Sequence, residues 1–174
     1  LLTKRPQNIS GMLPPCWQDE PWPNVWLGTT ICNQEEADRN VRHLTTIPAA
    51  LRFLSIEPLL GPLTFRWARW VDQEATLRKF GRLGHLEGLR GIHWAIVGGE
   101  SGPHARPMDL ASARALRDEF QEAGTAFFFK QWGEYDASGV RVGKKRAGRL
   151  LDGRIWQHVP GPRSLTTLPR GTGR

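Results

Sequence analysis

Apolar positions fall in short runs separated by amphipathic stretches. Leu1-Leu2 ahead of Thr3-Lys4-Arg5-Pro6 reads as the end of a buried strand, with Pro6 opening a helical turn where its missing N–H costs nothing. Val25-Trp26-Leu27-Gly28-Thr29-Thr30-Ile31, Arg52-Phe53-Leu54-Ser55-Ile56, Trp94-Ala95-Ile96-Val97 and Ala126-Phe127-Phe128-Phe129-Lys130-Gln131 give four further strand signals, β-branched and aromatic; Pro58 stops the second of these. Asn33 predicts the N-cap of a helix carrying Ala37, Val41, Leu44 and Ile47 on one stripe. Asp109 predicts the cap of another, with Leu110, Ala113, Leu116, Phe120 and Ala123 on one face and Gly124 closing it at C′.

Nearly continuous apolar strands alternating with amphipathic helices predict an α/β fold with a parallel sheet, because parallel strands need long crossovers that lie over the sheet. The stretch 14–23, with four prolines and Trp17 and Trp22, predicts a rigid loop. The stretch 64–92 breaks the rhythm with Trp67, Trp70 and Gly-spaced basic residues, and reads as an insertion with one short helix. The domain reading is therefore a body over 1–140 with that insertion, and a tail over 141–174.

Composition narrows the class. A chain of 174 residues that is 39% hydrophobic and holds eight tryptophans can bury a core. Its longest apolar runs, such as 126–129, fall far short of the ~20 residues of a membrane helix, and no charged-then-apolar leader opens it. A soluble, cytoplasmic protein is expected. The net charge of +7 is unevenly placed: from Arg141 onward nine basic residues face Asp152 alone, a net +8, which leaves −1 for everything before. The basic character thus belongs to a Gly- and Arg-rich tail, expected to be partly unfolded and a potential nucleic-acid contact.

In parallel α/β folds the working residues gather beyond the C-terminal ends of the strands. Those ends offer Thr3, Lys4 and Arg5; Thr29 and Thr30; Ser55 and Glu57; Gly98, Gly99, Glu100 and Ser101; and Lys130, Gln131 and Glu134. Gly98-Gly99-Glu100 would let backbone approach a ligand and set a carboxylate beside exposed N–H groups. Glu57 and Glu100 could instead hold a divalent cation or act as an acid and base. His104 is the one histidine placed for ligation, and no histidine-based metal site is expected. Trp22, Trp26, Trp94 and Trp132 either stack on a base or pack, packing being favoured. Two cysteines, Cys16 and Cys32, match neither a zinc hook nor a disulfide framework.

Leu2-Thr3-Lys4-Arg5-Pro6, Trp26-Leu27-Gly28-Thr29-Thr30, Phe53-Leu54-Ser55-Ile56-Glu57-Pro58-Leu59-Leu60-Gly61-Pro62, Val97-Gly98-Gly99-Glu100-Ser101-Gly102-Pro103 and Phe127-Phe128-Phe129-Lys130-Gln131-Trp132-Gly133 together resemble the phage gene-product 37/68 family, a domain of unknown function numbered 5131. The resemblance continues through Gly148-Arg149-Leu150-Leu151-Asp152-Gly153-Arg154 and covers about 1–160. It implies a partial parallel (βα) barrel of the radical S-adenosylmethionine, TIM-like type, incomplete at its N-terminus, whose first part carries a cysteine motif for a [4Fe-4S] cluster. The chain departs from the family in lacking that part, in Cys32 where Glu is usual and in His104 where Gly is usual.

On that resemblance Gly98, Gly99, Glu100 and Ser101 would hold S-adenosylmethionine. Lys4, Arg5, Thr29 and Gln131 would meet substrate, and Glu57 and Lys130 would be catalytic. The leading expectation is the C-terminal part of a radical S-adenosylmethionine-like enzyme. The alternatives are a non-catalytic phage accessory protein that binds nucleic acid through its basic tail, and a metal-dependent hydrolase on the same barrel.

Overall fold

In the computed structural model of the chain, residues 1–161 are described. Five strands, β1 (Leu2–Thr3), β2 (Trp26–Thr30), β3 (Leu51–Ile56), β4 (Trp94–Gly98) and β5 (Ala126–Gln131), form one sheet in the order β1-β2-β3-β4-β5 with every neighbouring pair parallel. This is the α/β class expected, with strands added in chain order.

Helix α1 (Gln34–Thr46) returns the chain from β2 to β3, and α3 (Leu110–Glu122) from β4 to β5, with α2 (Gln73–Phe80) in the connection between β3 and β4. Both expected caps form. The Asn33 side chain accepts from the Glu36 N–H at 2.9 Å, and Asp109 accepts from the Ser112 N–H at 2.7 Å, each satisfying a first-turn donor with no partner inside the helix. Gly124, at φ +70°, follows α3 in the left-handed conformation that ends helices.

Strand alternation divides the sheet into two unlike faces. Leu27, Leu54, Ile56, Ala95, Val97, Phe127 and Phe129 join Ala37, Val41 and Leu44 of α1 and Ala113, Leu116 and Phe120 of α3 in one buried core. The opposite face carries Gly28, Phe53, Trp94, Ile96 and Phe128, half-buried apart from the glycine and outside that core, and no helix lies over it. Phe53, Trp94 and Phe128 pack edge to face or tilted on that surface, with Trp26 against Trp94 at 6.1 Å.

Two expectations are corrected. The first strand is not buried: Leu1 and Leu2 are 61% and 50% exposed, because β1 is an edge with nothing packed beyond it among the described residues. The stretch 64–92, read as an insertion with one short helix, lies in the β3–β4 connection, and α2 is its α-helix. Residues of α2 are all unburied, while Phe65, Leu89 and Ile92 enter the core and Phe65 packs on Phe120 at 5.3 Å.

The tail, too, is folded as far as it is described. Helix α4 (Lys144–Ala147) and an antiparallel hairpin of β6 (Leu150–Leu151) and β7 (Arg154–Ile155) lead to Trp156, which is 7% exposed. The Phe129 N–H then donates to the Trp156 carbonyl, and the His158 N–H to the Phe127 carbonyl, so this segment covers the outer edge of β5. The rest of the expected unfolded tail, 162–174, lies outside the described residues.

His93, just before β4, ties strand pairing to pH. The Arg52 N–H donates to its Nδ1 at 3.1 Å, and burial, then the Arg52 charge, hold its pKa below the ordinary 6.5. The unfolded chain therefore binds a proton that the folded chain resists, so stability is complete above pH 6.5 and falls as pH drops through it towards the folded value. The urea midpoint is expected to fall over that window, and His93→Gln to flatten the fall.

Candidate functional site

The strand ends converge on the helix-free face. Glu57 follows β3, two residues past Ser55, and Lys130 lies near the end of β5; between them passes Gly98 of β4. Pairing runs Val97 to Phe129 and then Gly98 to Gln131, so Lys130 is an extra residue that the ladder skips. Such a bulge re-aims a side chain. The Lys130 ammonium lies 3.1 and 3.2 Å from the two Glu57 carboxylate oxygens, Glu57 being 20% exposed and Lys130 50%. A Cβ on Gly98 would stand 2.7 Å from Glu57 Oε1. The glycine is what lets the pair close over β4.

Thr30 and Ser55 are register partners on the same face as Glu57. Neither hydroxyl has a hydrogen-bond partner among the described residues, so both remain available at the rim. Thr29, expected to meet substrate, points to the other face by alternation, is fully buried, and donates its hydroxyl to the Thr3 carbonyl at 3.0 Å. Lys4 and Arg5 are exposed beyond β1.

Cys32, just past β2, donates its thiol to the Glu57 carbonyl at 3.7 Å. Burial, then the Glu36 carboxylate, push that thiol above its ordinary value, with Lys4 and Arg106 opposing them. Lys4, after β1, and Arg106, in the loop after β4, are close enough to Cys32 for their charges to oppose that rise.

The Gly98-Gly99-Glu100 turn has uses of its own. A Cβ on Gly99 would fall 1.8 Å from the Trp132 carbonyl oxygen, and one on Gly133, at φ +90°, 2.1 Å from the Glu100 carbonyl oxygen. The loops after β4 and β5 thus cross backbone on backbone. Their polar groups pair there: Gly99 N–H to the Gln131 carbonyl at 2.9 Å, Leu59 N–H to the Gly98 carbonyl at 3.0 Å, and Glu134 N–H to the Glu100 carbonyl at 2.9 Å.

The Glu100 carboxylate takes a forked pair of bonds from the Arg106 guanidinium at 2.8 and 2.9 Å and one from the Arg106 N–H at 2.9 Å. Gln131 Nε2 donates to Ser101 Oγ at 3.3 Å. With these groups engaged, Gly98, Gly99 and Glu100 make a structural crossing and do not fit as a cradle for S-adenosylmethionine.

A cluster or metal fares the same way. Cys16 is exposed on a turn between β1 and β2 and Cys32 is half-buried at the rim, against the three or four thiolates that an iron–sulfur cluster takes. Among the described residues no group of three or more His, Cys, Asp or Glu is placed to hold a metal. Glu57 and Glu100, offered as a divalent-cation pair, each already face a cation. His104 is exposed. Of the tryptophans, Trp132 is buried and Trp94 packs on the helix-free face. Trp22, 47% exposed, leans on Trp17 at 5.7 Å.

Sequence reasoning did not single out Arg106, which occupies Glu100, because a loop contact across six residues has no periodic signature. It weighs Trp132 only for its ring and Gly133 only as part of the family motif, whereas it is their backbone that decides the geometry of the β4 turn.

Two outcomes are expected from this geometry. Gly98→Ala meets only the movable end of Glu57, so it should leave the melting temperature nearly unchanged while speeding acylation of the released Lys130 amine. Gly99→Ala meets backbone and should cost about 1–3 kcal/mol of stability, as overpacking does, in a denaturant titration. The Glu100 carboxyl, held by Arg106 from an ordinary 4.5 down to about 2, should titrate near that value by NMR and return towards the usual carboxylate range in Arg106→Gln.

No curated protein and no solved structure matches the chain. Among the described residues no helix is long and apolar enough to cross a membrane. A family model described as a protein of unknown function (DUF5131) matches residues 1–160, and the chain belongs to that family.

Proposed function

We propose that this chain is the substrate-facing part of a cytoplasmic (βα)-barrel enzyme of the radical S-adenosylmethionine-like type, with Glu57 and Lys130 as its working pair. The observation that carries the reading is the ion pair itself. It is built by a bulge and a side-chain-free glycine, at the C-terminal ends of parallel strands, on the one sheet face that no helix covers. That is where enzymes of parallel α/β architecture keep their chemistry.

The pair suits positioning of a polar or anionic substrate. The Lys130 ammonium has three N–H donors and leans on Glu57 with part of that capacity, leaving the remainder for a substrate oxygen. Glu57 holds the ammonium against the rotamer freedom of a long, half-exposed side chain, so the charge is preorganised before substrate arrives. Thr30 and Ser55 hydroxyls lie along the same face, with Trp94, Ile96 and Phe128 as its apolar floor. A floor of this kind excludes water from a reacting centre.

Because the residues described do not fit a cluster or S-adenosylmethionine, the reading assigns those groups to residues outside this chain. Its own share is to bind and orient. The test is to combine the chain with the cysteine-bearing first segment of another family member, under anaerobic iron and sulfide reconstitution. The expected result is a stable complex that cleaves S-adenosylmethionine to 5′-deoxyadenosine. Glu57→Gln and Lys130→Met should keep the complex and its cluster absorbance while losing modification of substrate. A complex that never forms, or forms without cleaving the cofactor, would refute the reading.

A further inference from the structure

Beside the Glu57–Lys130 pair lies an open groove of about 420 Å³ lined by Lys130, Gln131, Lys144, Lys145, Gly148 and Arg149. Four of these six residues are cations and none is acidic, and the wall they present is mostly their aliphatic stems. Lys130 is engaged by Glu57, but Lys144, Lys145 and Arg149 are exposed and have no carboxylate partner among the described residues. Arg66 pairs with Glu119 and Glu122, Arg90 with Glu87, Arg106 with Glu100, and Arg114 and Arg117 with Asp152, while Arg42, Arg69, Arg78 and Arg82, like the three groove cations, have no ion-pair partner among the described residues.

These cations are not on a loose tail. The Trp132 N–H donates to the Gly148 carbonyl at 3.0 Å and its indole Nε1 to the Leu150 carbonyl at 2.8 Å, while the Val142 and Gly143 N–H groups donate to the Glu134 carbonyl at 3.0 Å. The turn bearing Lys144, Lys145 and Arg149 is thereby pinned at both ends to the segment that follows β5. Holding like charges together in a folded turn opposes their mutual repulsion, and an anion seated between them removes that penalty.

From this geometry we infer that the groove holds the phosphate backbone of a nucleic-acid strand and leads it to the Glu57–Lys130 rim. The inference rests on the reading of that rim as the substrate side. Several cations around an open groove match a run of phosphates, and contacts to phosphate carry no base information. The attraction is therefore sequence-independent. The strand is single, because a rim that acts on a nucleotide must reach atoms that a duplex stacks away.

The test is fluorescence anisotropy of the full chain with a labelled single-stranded oligonucleotide, from about 50 to 200 mM salt. With three phosphates neutralised, log K should fall against log salt with a slope of about −2. The variant Lys144→Gln/Lys145→Gln/Arg149→Gln should weaken binding at least about tenfold and flatten the slope. A matched variant on the β3–β4 crossover, Arg78→Gln/Lys79→Gln/Arg82→Gln, removes the same charge and should bind as the parent does. Near-UV circular dichroism and melting of each variant verify the fold.

Equal losses in the two variants would mean that net charge alone is felt, and the inference fails. It fails too if the groove variant binds normally while removal of 162–174 abolishes binding, or if inorganic phosphate displaces the oligonucleotide as well as competing strand does. None of these measurements needs cluster or cofactor, so their failure and that of the enzyme reading are told apart.

Discussion

Every strand of this sheet runs the same way, so each must be followed by a return that crosses over the sheet, and the two long returns made by α1 and α3 lie over the same face. The rest of the molecule follows from that. One face becomes the core, filled by alternate strand residues such as Leu54, Val97 and Phe127, and the other is left to aromatic side chains that cover themselves. With about 25 cal/mol gained per Å² of apolar surface removed from water, the helix-covered face supplies most of the stability, and the free face can be spent on a surface shaped for something else.

The strand ends show how closely packing and chemistry share this rim. The loops after β4 and β5 cross so tightly that neither Gly99 nor Gly133 has room for a side chain, and that crossing fixes where β5 ends and where its bulge falls. The bulge aims Lys130 at Glu57; the crossing also brings Trp132 to the carbonyls of Gly148 and Leu150, which anchor the basic turn. A displacement in the crossing would therefore be felt at both the ion pair and the groove. Arg106 completes the arrangement by occupying Glu100, which removes one free carboxylate from a rim otherwise rich in cations.

Periodicity and cap residues made the five strands, the two long helices and their Asn33 and Asp109 caps legible, because those depend on neighbours three or four residues apart. What depended on partners far along the chain was not legible. Gly98 and Gly99 read as a ligand approach, yet their spaces are taken by the Glu57 carboxylate and the Trp132 carbonyl, contacts that no local pattern announces. Thr29 and Thr30 look alike in sequence, and only the register decides that Thr30 shares the face of Glu57. For 141–161, net charge outweighed a signal that was present. Leu150-Leu151-Asp152-Gly153-Arg154-Ile155 has the Asp-Gly pair of a two-residue hairpin turn, and Asp152 and Gly153 adopt φ +54° and +71° as such a turn demands. Arg114 and Arg117 both reach Asp152, and Arg154 lies over the Trp156 ring at 4.4 Å, so part of the tail's charge is structural.

The segment after that hairpin also blocks one edge of the sheet. A closed barrel joins its last strand to its first, which needs the outer backbone groups of β5 to be free. Here the Phe129 N–H and the Phe127 carbonyl are bonded to the Trp156 carbonyl and the His158 N–H in an antiparallel pairing. Along these residues β5 cannot also pair with another strand, so the sheet does not close on itself through β5 and stays open there. The opening then falls next to Lys130 and the basic turn rather than on the far side of the sheet. On the reading proposed above, a long substrate would enter there and meet the exposed cations of the basic turn before the Glu57–Lys130 pair.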